Sequence, residues 1–161
     1  MTLIRQFAPA DAQAVIDVIL PIQQSEFGIA ITLEAQPDLQ DIQGFYQRGS
    51  GGFWVAESEG AVVGTIALLD IGNRQGALRK MFVAKSHRGP AHGVSARLMA
   101  TLLEWCRARG IDEIYLGTTG AFLAAHRFYE KNGFTELAKS ELPGAFPVMA
   151  VDTKFYVSVL R

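Results

Sequence analysis

The sequence predicts an α+β fold, an α/β/α sandwich with helices on both faces of a mixed, largely antiparallel sheet. Three observations carry this reading. Residues 53–57 and 61–69 are apolar runs joined by Ser58-Glu59-Gly60, which is a hairpin pattern. Two helical spacings precede them. From residue 77 onward the chain alternates strand, helix, strand, helix, strand, with glycines at the joints.

Taken in order, residues 3–7 form a first short strand. Pro9, Ala10 and Asp11 open a helix carrying Ala14, Val15, Val18 and Ile19, and Pro21 ends or kinks it. Residues 22–37 lack a clean period and read as a connection or a short helix. Residues 38–47 place Leu39, Ile42, Phe45 and Tyr46 at helical spacing, until Gly49, Gly51 and Gly52 stop them. The second hairpin strand is apolar almost throughout, as a central strand would be. Residues 71–76 read as a loop and 77–83 as a buried strand holding Leu78, Met81, Phe82 and Val83. Leu98, Met99, Leu102, Leu103 and Cys106 then mark one face of a long helix, which Gly110 stops. A strand lies within residues 111–118. A helix follows over about 121–131, ended by Asn132-Gly133. Residues 135–137 begin a strand, 142–147 form a loop, and 149–160 read as one long closing strand.

At 161 residues, 49% hydrophobic and 19% charged, the chain is expected to be one domain spanning 1–161. A net charge of −1 gives no electrostatic footprint for nucleic acid or an anionic membrane. Residues 1–6 lack the apolar core of a signal peptide, and no apolar run approaches membrane-spanning length, so a cytoplasmic location is expected. Cys106 is the only cysteine and shares the apolar helix face, which suits packing better than nucleophilic work. No spacing of histidines and acids suggests a metal.

The stretch with most chemical content is the strand at 77–83, the loop through Arg88, Gly89, Pro90, Ala91, His92 and Gly93, and the helix beyond. That order presents free backbone N–H groups at a positive helix end, a cradle for phosphate. Gly93 permits close approach of a ligand, Gly89 a positive-φ bend, and Ser95 suits the first helical turn. Arg88 offers a permanent cation, and His87 and His92 suit phosphate contact or plain solvation. Arg79 and Lys80 read as a solvated edge.

Residues 88–93 resemble the Arg/Gln-x-x-Gly-x-Gly/Ala signature of the GNAT superfamily of acyl-CoA-dependent N-acyltransferases, with Ala91 at the first signature glycine. In a second phasing, favoured here, Gly93-Val94-Ser95 is the Gly-x-Gly/Ala element and Pro90-Ala91 an insertion. Downstream, Ala125 to Phe134 (A-H-R-F-Y-E-K-N-G-F) resembles the family's Ala-x-x-x-Tyr-x-x-x-Gly-Phe segment. Phe122 stands where relatives commonly carry a polar residue.

The resemblance implies a splayed strand pair whose gap takes the pantetheine arm of acetyl-CoA or a short acyl-CoA. Backbone groups of Met81, Phe82 and Val83 would pair with the pantetheine amides. The loop, through Arg88, Gly89, His92, Gly93, Val94 and Ser95, would take the pyrophosphate. It further implies direct attack by a primary amine, on a small molecule or a peptide, with Tyr129 protonating the departing thiolate. The base stays open among Asp70, Glu26, Glu57, His126 and water, with His126 expected on a polar, solvated helix face. The acceptor pocket is expected from residues 22–37, 70–76 and 139–148, and a homodimer is left open. The competing reading is a non-catalytic acyl-CoA-binding or sensor module, with a purely structural interaction protein behind it.

Overall fold

A computed structural model describes residues 1–120 and 123–160. Its centre is one seven-stranded sheet of strand order β1-β2-β3-β4-β5-β7-β6. The strands are β1 (Thr2–Gln6), β2 (Gly52–Ser58), β3 (Ala61–Gly72), β4 (Gln75–Val83), β5 (Glu113–Thr118), β6 (Thr135–Leu137) and β7 (Lys154–Val159). Only β4 and β5 run parallel; every other neighbouring pair is antiparallel. The expected mixed, largely antiparallel α+β sandwich is borne out.

The helices are α1 (Ala12–Pro21), α2 (Pro37–Gln40), α3 (Ile42–Tyr46), α4 (Val94–Arg109) and α5 (Leu123–Lys131). On one face of the sheet, Leu98, Met99, Leu102 and Cys106 of α4 and Tyr129 of α5 share a core with Ile66, Leu78, Leu116 and Tyr156. On the other, Val15, Ile19, Ile42 and Tyr46 close over Phe53, Val55 and Ala67. A smaller cluster, Ala77, Tyr115, Phe146 and Phe155, lies where residues 139–153 cross the sheet. Cys106 is fully buried and burial pushes its thiol up to about 12, so it is inert packing.

Three local expectations are corrected. Residues 71–76 are mostly strand: β3 and β4 pair as far as Gly72 and Gln75, joined by a tight turn at Asn73 and Arg74, both left-handed. Arginine rarely takes that conformation, so its sequence gives no turn signal; here Asp112 holds its side chain, 2.8 Å from Nε. The helix at 38–47 breaks at Asp41, whose non-helical backbone and bond from the Gly44 N–H restart it as α3. Pro21 is the last residue of α1, as expected, and the chain widens from there into a π-helical turn over Ile22–Glu26. The closing strand begins at Lys154, with 149–153 irregular. Phe122 and the expected start of the helix at 121 lie outside the described residues.

Candidate active site

β4 and β5 pair over three rungs, Gln75 with Glu113, Gly76 with Ile114 and Ala77 with Tyr115. Beyond them both strands continue, β4 to Val83 and β5 to Thr118, without pairing to each other. The cause lies on the other side of β4. Thr65 faces Phe82 but Ala67 faces Arg79, so β4 spends an extra residue opposite Ile66. Lys80 absorbs it with a left-handed backbone, φ 51°, and its carbonyl accepts from Thr65 Oγ1 at 2.7 Å. A bulge of this kind bends its strand and ends pairing. The result is a forked gap bordered on one side by the backbone of residues 81–83, beyond the last β4–β5 rung.

The loop after β4 is built from backbone. Gly89, at φ 100°, offers a carbonyl that accepts from His92 N at 3.1 Å and Gly93 N at 3.3 Å. Gly93, at φ 65°, is the N-cap of α4, and its carbonyl accepts the first helical bond, from Arg97 N. The N–H groups of Val94, Ser95 and Ala96 are left with no acceptor among the described residues, as the first turn of a helix must leave them. The N–H groups of His92 and Gly93, by contrast, are consumed within the loop. Both glycines are demanded by their positive φ and not by crowding, since a Cβ at either would meet no protein atom within 4 Å.

Arg88 is not a free cation. Its Nε donates to Val83 O at 2.8 Å, and its two terminal nitrogens grip Glu26, whose carboxyl is held below its ordinary value by those bonds. His87 and His92 stand with ring centroids 5.5 Å apart, and Ser86 Oγ is 2.8 Å from His87 Nδ1.

Tyr129 sits on the α4 face, its ring 6.0 Å from that of Tyr156, which pairs with Leu116 of β5. Leu116 is the first β5 residue past the split, so Tyr129 lies level with the fork. Burial pushes its phenol up to about 12, and its hydroxyl makes no hydrogen bond among the described residues. Since no fully buried side-chain polar atom there lacks a partner, that hydroxyl is reachable from outside.

Each carboxylate considered as a base is committed elsewhere. Asp70 accepts from the N–H groups of Ser50 and Gly72, Glu57 binds Arg5, and Glu26 binds Arg88. His126 is buried, not solvated, with Nε2 2.8 Å from Thr119 O. The acid that does reach the fork is Asp152, which the sequence reading absorbed into a strand. A Cβ built on Gly117 of β5 would lie 2.6 Å from Asp152 Oδ2, so only glycine leaves room for it. Burial raises the Asp152 pKa above its ordinary 3.8, while the Met149 N–H, Arg79 and Lys80 pull the other way. Asp152 and Tyr129 therefore approach the fork from opposite faces of the sheet.

Arg79 and Lys80 correct a further expectation: their side chains are 13% and 7% exposed, not a solvated edge. They meet Asp38, which also accepts from Tyr46 OH at 2.6 Å. Of the segments expected to frame an acceptor, 22–37 contributes Gln23 and Gln36 to this polar group, joined by two mutual amide bonds. The 70–76 turn lies at the paired end of β4, away from the fork. Among the described residues no group of His, Cys, Asp and Glu could hold a metal, and no helix is long and apolar enough to cross a membrane.

The model of the acetyltransferase (GNAT) family matches residues 16–134. The chain belongs to this family. The resemblance of the two motifs to this family is thereby borne out. The GNAT acetyltransferase of Staphylococcus aureus MU50 is 37% identical over the full length of both chains and superposes with a TM-score of 0.95. The N-acetylaspartate synthetase of Xenopus tropicalis is 37% identical over 108 residues, 65% of this chain and 38% of that protein. This chain thus spans about half the length, or less, of the curated relatives it matches. The N-acetylglutamate synthase of Neisseria gonorrhoeae, solved with coenzyme A and N-acetylglutamate, shares the fold at a TM-score of 0.74 and 18% identity, over 35% of its chain.

Proposed function

We propose that this GNAT member carries acetyl-CoA in the β4–β5 fork and transfers its acetyl group to a small primary amine. The observation that carries the reading is the fork itself: an unpaired strand edge running into a helix start with unused N–H groups. The pantetheine amides pair along Met81, Phe82 and Val83, as an added strand would. The diphosphate rests on the N–H groups of Val94, Ser95 and Ala96, at the positive end of α4. The seven-stranded sheet unites both halves of this site, which supports reading 1–161 as a single acyltransferase domain.

The amine nitrogen attacks the thioester carbonyl, a C–N bond forms and the C–S bond breaks. Asp152 takes the proton that the amine must lose, and Tyr129 supplies one to the thiolate. Each environment suits its role. A carboxylate whose pKa is raised is a better base, and a phenol held near 12 stays protonated, hence a donor, throughout the neutral range. The test is acetyl-CoA binding by calorimetry followed by thiol release with a panel of amines. Binding with amine-dependent release is expected; binding without release from any amine would leave a sensor module instead.

A further inference from the structure

Consecutive side chains of a strand leave opposite faces, yet Arg79 and Lys80 share one. The left-handed Lys80 turns its side chain back, so that its Nζ stands 3.4 Å from Asp38 Oδ2 while Arg79 Nη2 stands 3.9 Å from the same oxygen. A non-glycine residue in that conformation persists only where its surroundings insist on it, and such positions gather at functional sites. Lys80 Nζ also donates to Gln36 Oε1 at 2.7 Å. Asp38 is served by Lys80 and the Tyr46 hydroxyl.

Arg79 is left over. Its guanidinium lies 5.7 Å from the Phe45 ring centroid and 5.9 Å from that of Tyr46. Its one hydrogen bond is a long contact to Met149 Sδ at 3.7 Å, and Asp38 stands beyond hydrogen-bond reach. No oxygen among the described residues takes its planar fork of donors, the group best shaped to hold a carboxylate. Its remaining donors are not fully buried, because every such buried atom has a partner.

The position narrows what the fork of donors is for. Arg79 lies two residues past the last β4–β5 rung, on the face where Asp152 lies over Gly117. Its distance along β4 from Val83 and the phosphate loop is on the order of 13 Å, too far for the diphosphate. A cation on β4 and a carboxylate over β5 flank the point where the fork opens. Resting on the reading of the fork as the acyl-transfer site, we propose that Arg79 selects an acceptor carrying its own carboxylate beside the amine, a free amino acid. The acceptor carboxylate takes the unused donors of Arg79 while its amine faces Asp152. Asp38, 3.9 Å from Arg79 Nη2, stands behind it as a positioning residue.

The experiment compares free amino acids with their carboxamides and with the amines in which hydrogen replaces the carboxylate. Wild type, Arg79→Lys and Arg79→Met are assayed for thiol release and melting temperature. Wild type should prefer the acids by roughly 10–10²-fold in kcat/KM, the worth of a charged hydrogen-bonded pair. Arg79→Met should lose that preference through KM, its kcat/KM falling far more with the acids than with the amides, and Arg79→Lys should recover part of it. Equal use of acids and amides by wild type, or an equal loss of both in Arg79→Met, overturns the proposal. Should Arg79→Met fail to fold, the wild-type preference and Arg79→Lys decide. Release with carboxylate-free amines alone defeats the proposal and leaves acyl transfer standing; no acetyl-CoA binding defeats both.

Discussion

The two ends of β4 solve recognition in opposite ways. At its C-terminal end the loop from Lys85 to Gly93 leads into the N–H groups of α4, and its one strategic cation, Arg88, is already neutralised by Glu26. Nothing there depends on a free side-chain charge. At the bulge, by contrast, Arg79, Lys80, Asp38 and Asp152 form a largely buried group of four charged side chains. A donor with the same handle in every turnover can be held by backbone, whose geometry tolerates sequence change. An acceptor must be chosen, and choice takes side chains.

That contrast is broken most sharply by Gly93→Val. A β-branched residue at φ 65° is strained, and its side chain would project into the open space where the diphosphate is to lie. Acetyl-CoA binding should fall below detection in calorimetry while circular dichroism reports a folded chain. A folded variant with unchanged affinity would reduce the loop to a plain connection.

The next effects belong to the chemistry. Tyr129→Phe keeps the ring packed against Phe134 and Tyr156 and removes only the hydroxyl, so kcat should fall by roughly 10²–10⁴ with acetyl-CoA affinity unchanged. Asp152→Asn should lower kcat similarly and also change its pH profile. The base must be ionised, and burial raises its pKa above 3.8, so wild-type kcat should drop as pH falls through that raised value. In Asp152→Asn this acid limb should vanish. An unaltered limb would assign the base elsewhere.

The smallest effect sharpens the donor side. Glu26→Gln frees the Arg88 guanidinium. The KM for acetyl-CoA should then drop a few-fold at low salt, the scale of a partly exposed ion pair at ~0–1 kcal/mol, and return toward wild type as salt is raised. A rise in KM instead would mean that Glu26 holds Arg88 in its binding pose.

The order of elements and both donor motifs were legible because local signals wrote them: apolar period, glycine stops, and a strand that runs into a glycine loop and a helix. Tyr129 was legible only through the spacing of its segment, since periodicity alone makes it core, and the structure does pack it there. What could not be read depends on contacts distant in sequence. Lys80 turns back because β3 and β4 slip by one residue, and nothing in Arg79-Lys80-Met81 announces a bulge. Asp152 matters because Gly117, from another strand, makes room for it. An acid so poor in β-propensity, after the unalternating Val148, Met149, Ala150 and Val151, was the one available sign that the closing strand began later.

The claim on which the rest depends is that the acyl donor occupies the fork as an added strand ending at the α4 N-terminus. Amide hydrogen exchange with and without acetyl-CoA tests it directly. Exchange should slow at Met81, Phe82 and Val83 and at Val94, Ser95 and Ala96 together when acetyl-CoA binds, with β1 unchanged. Binding confirmed by calorimetry without added protection at either segment would contradict the account.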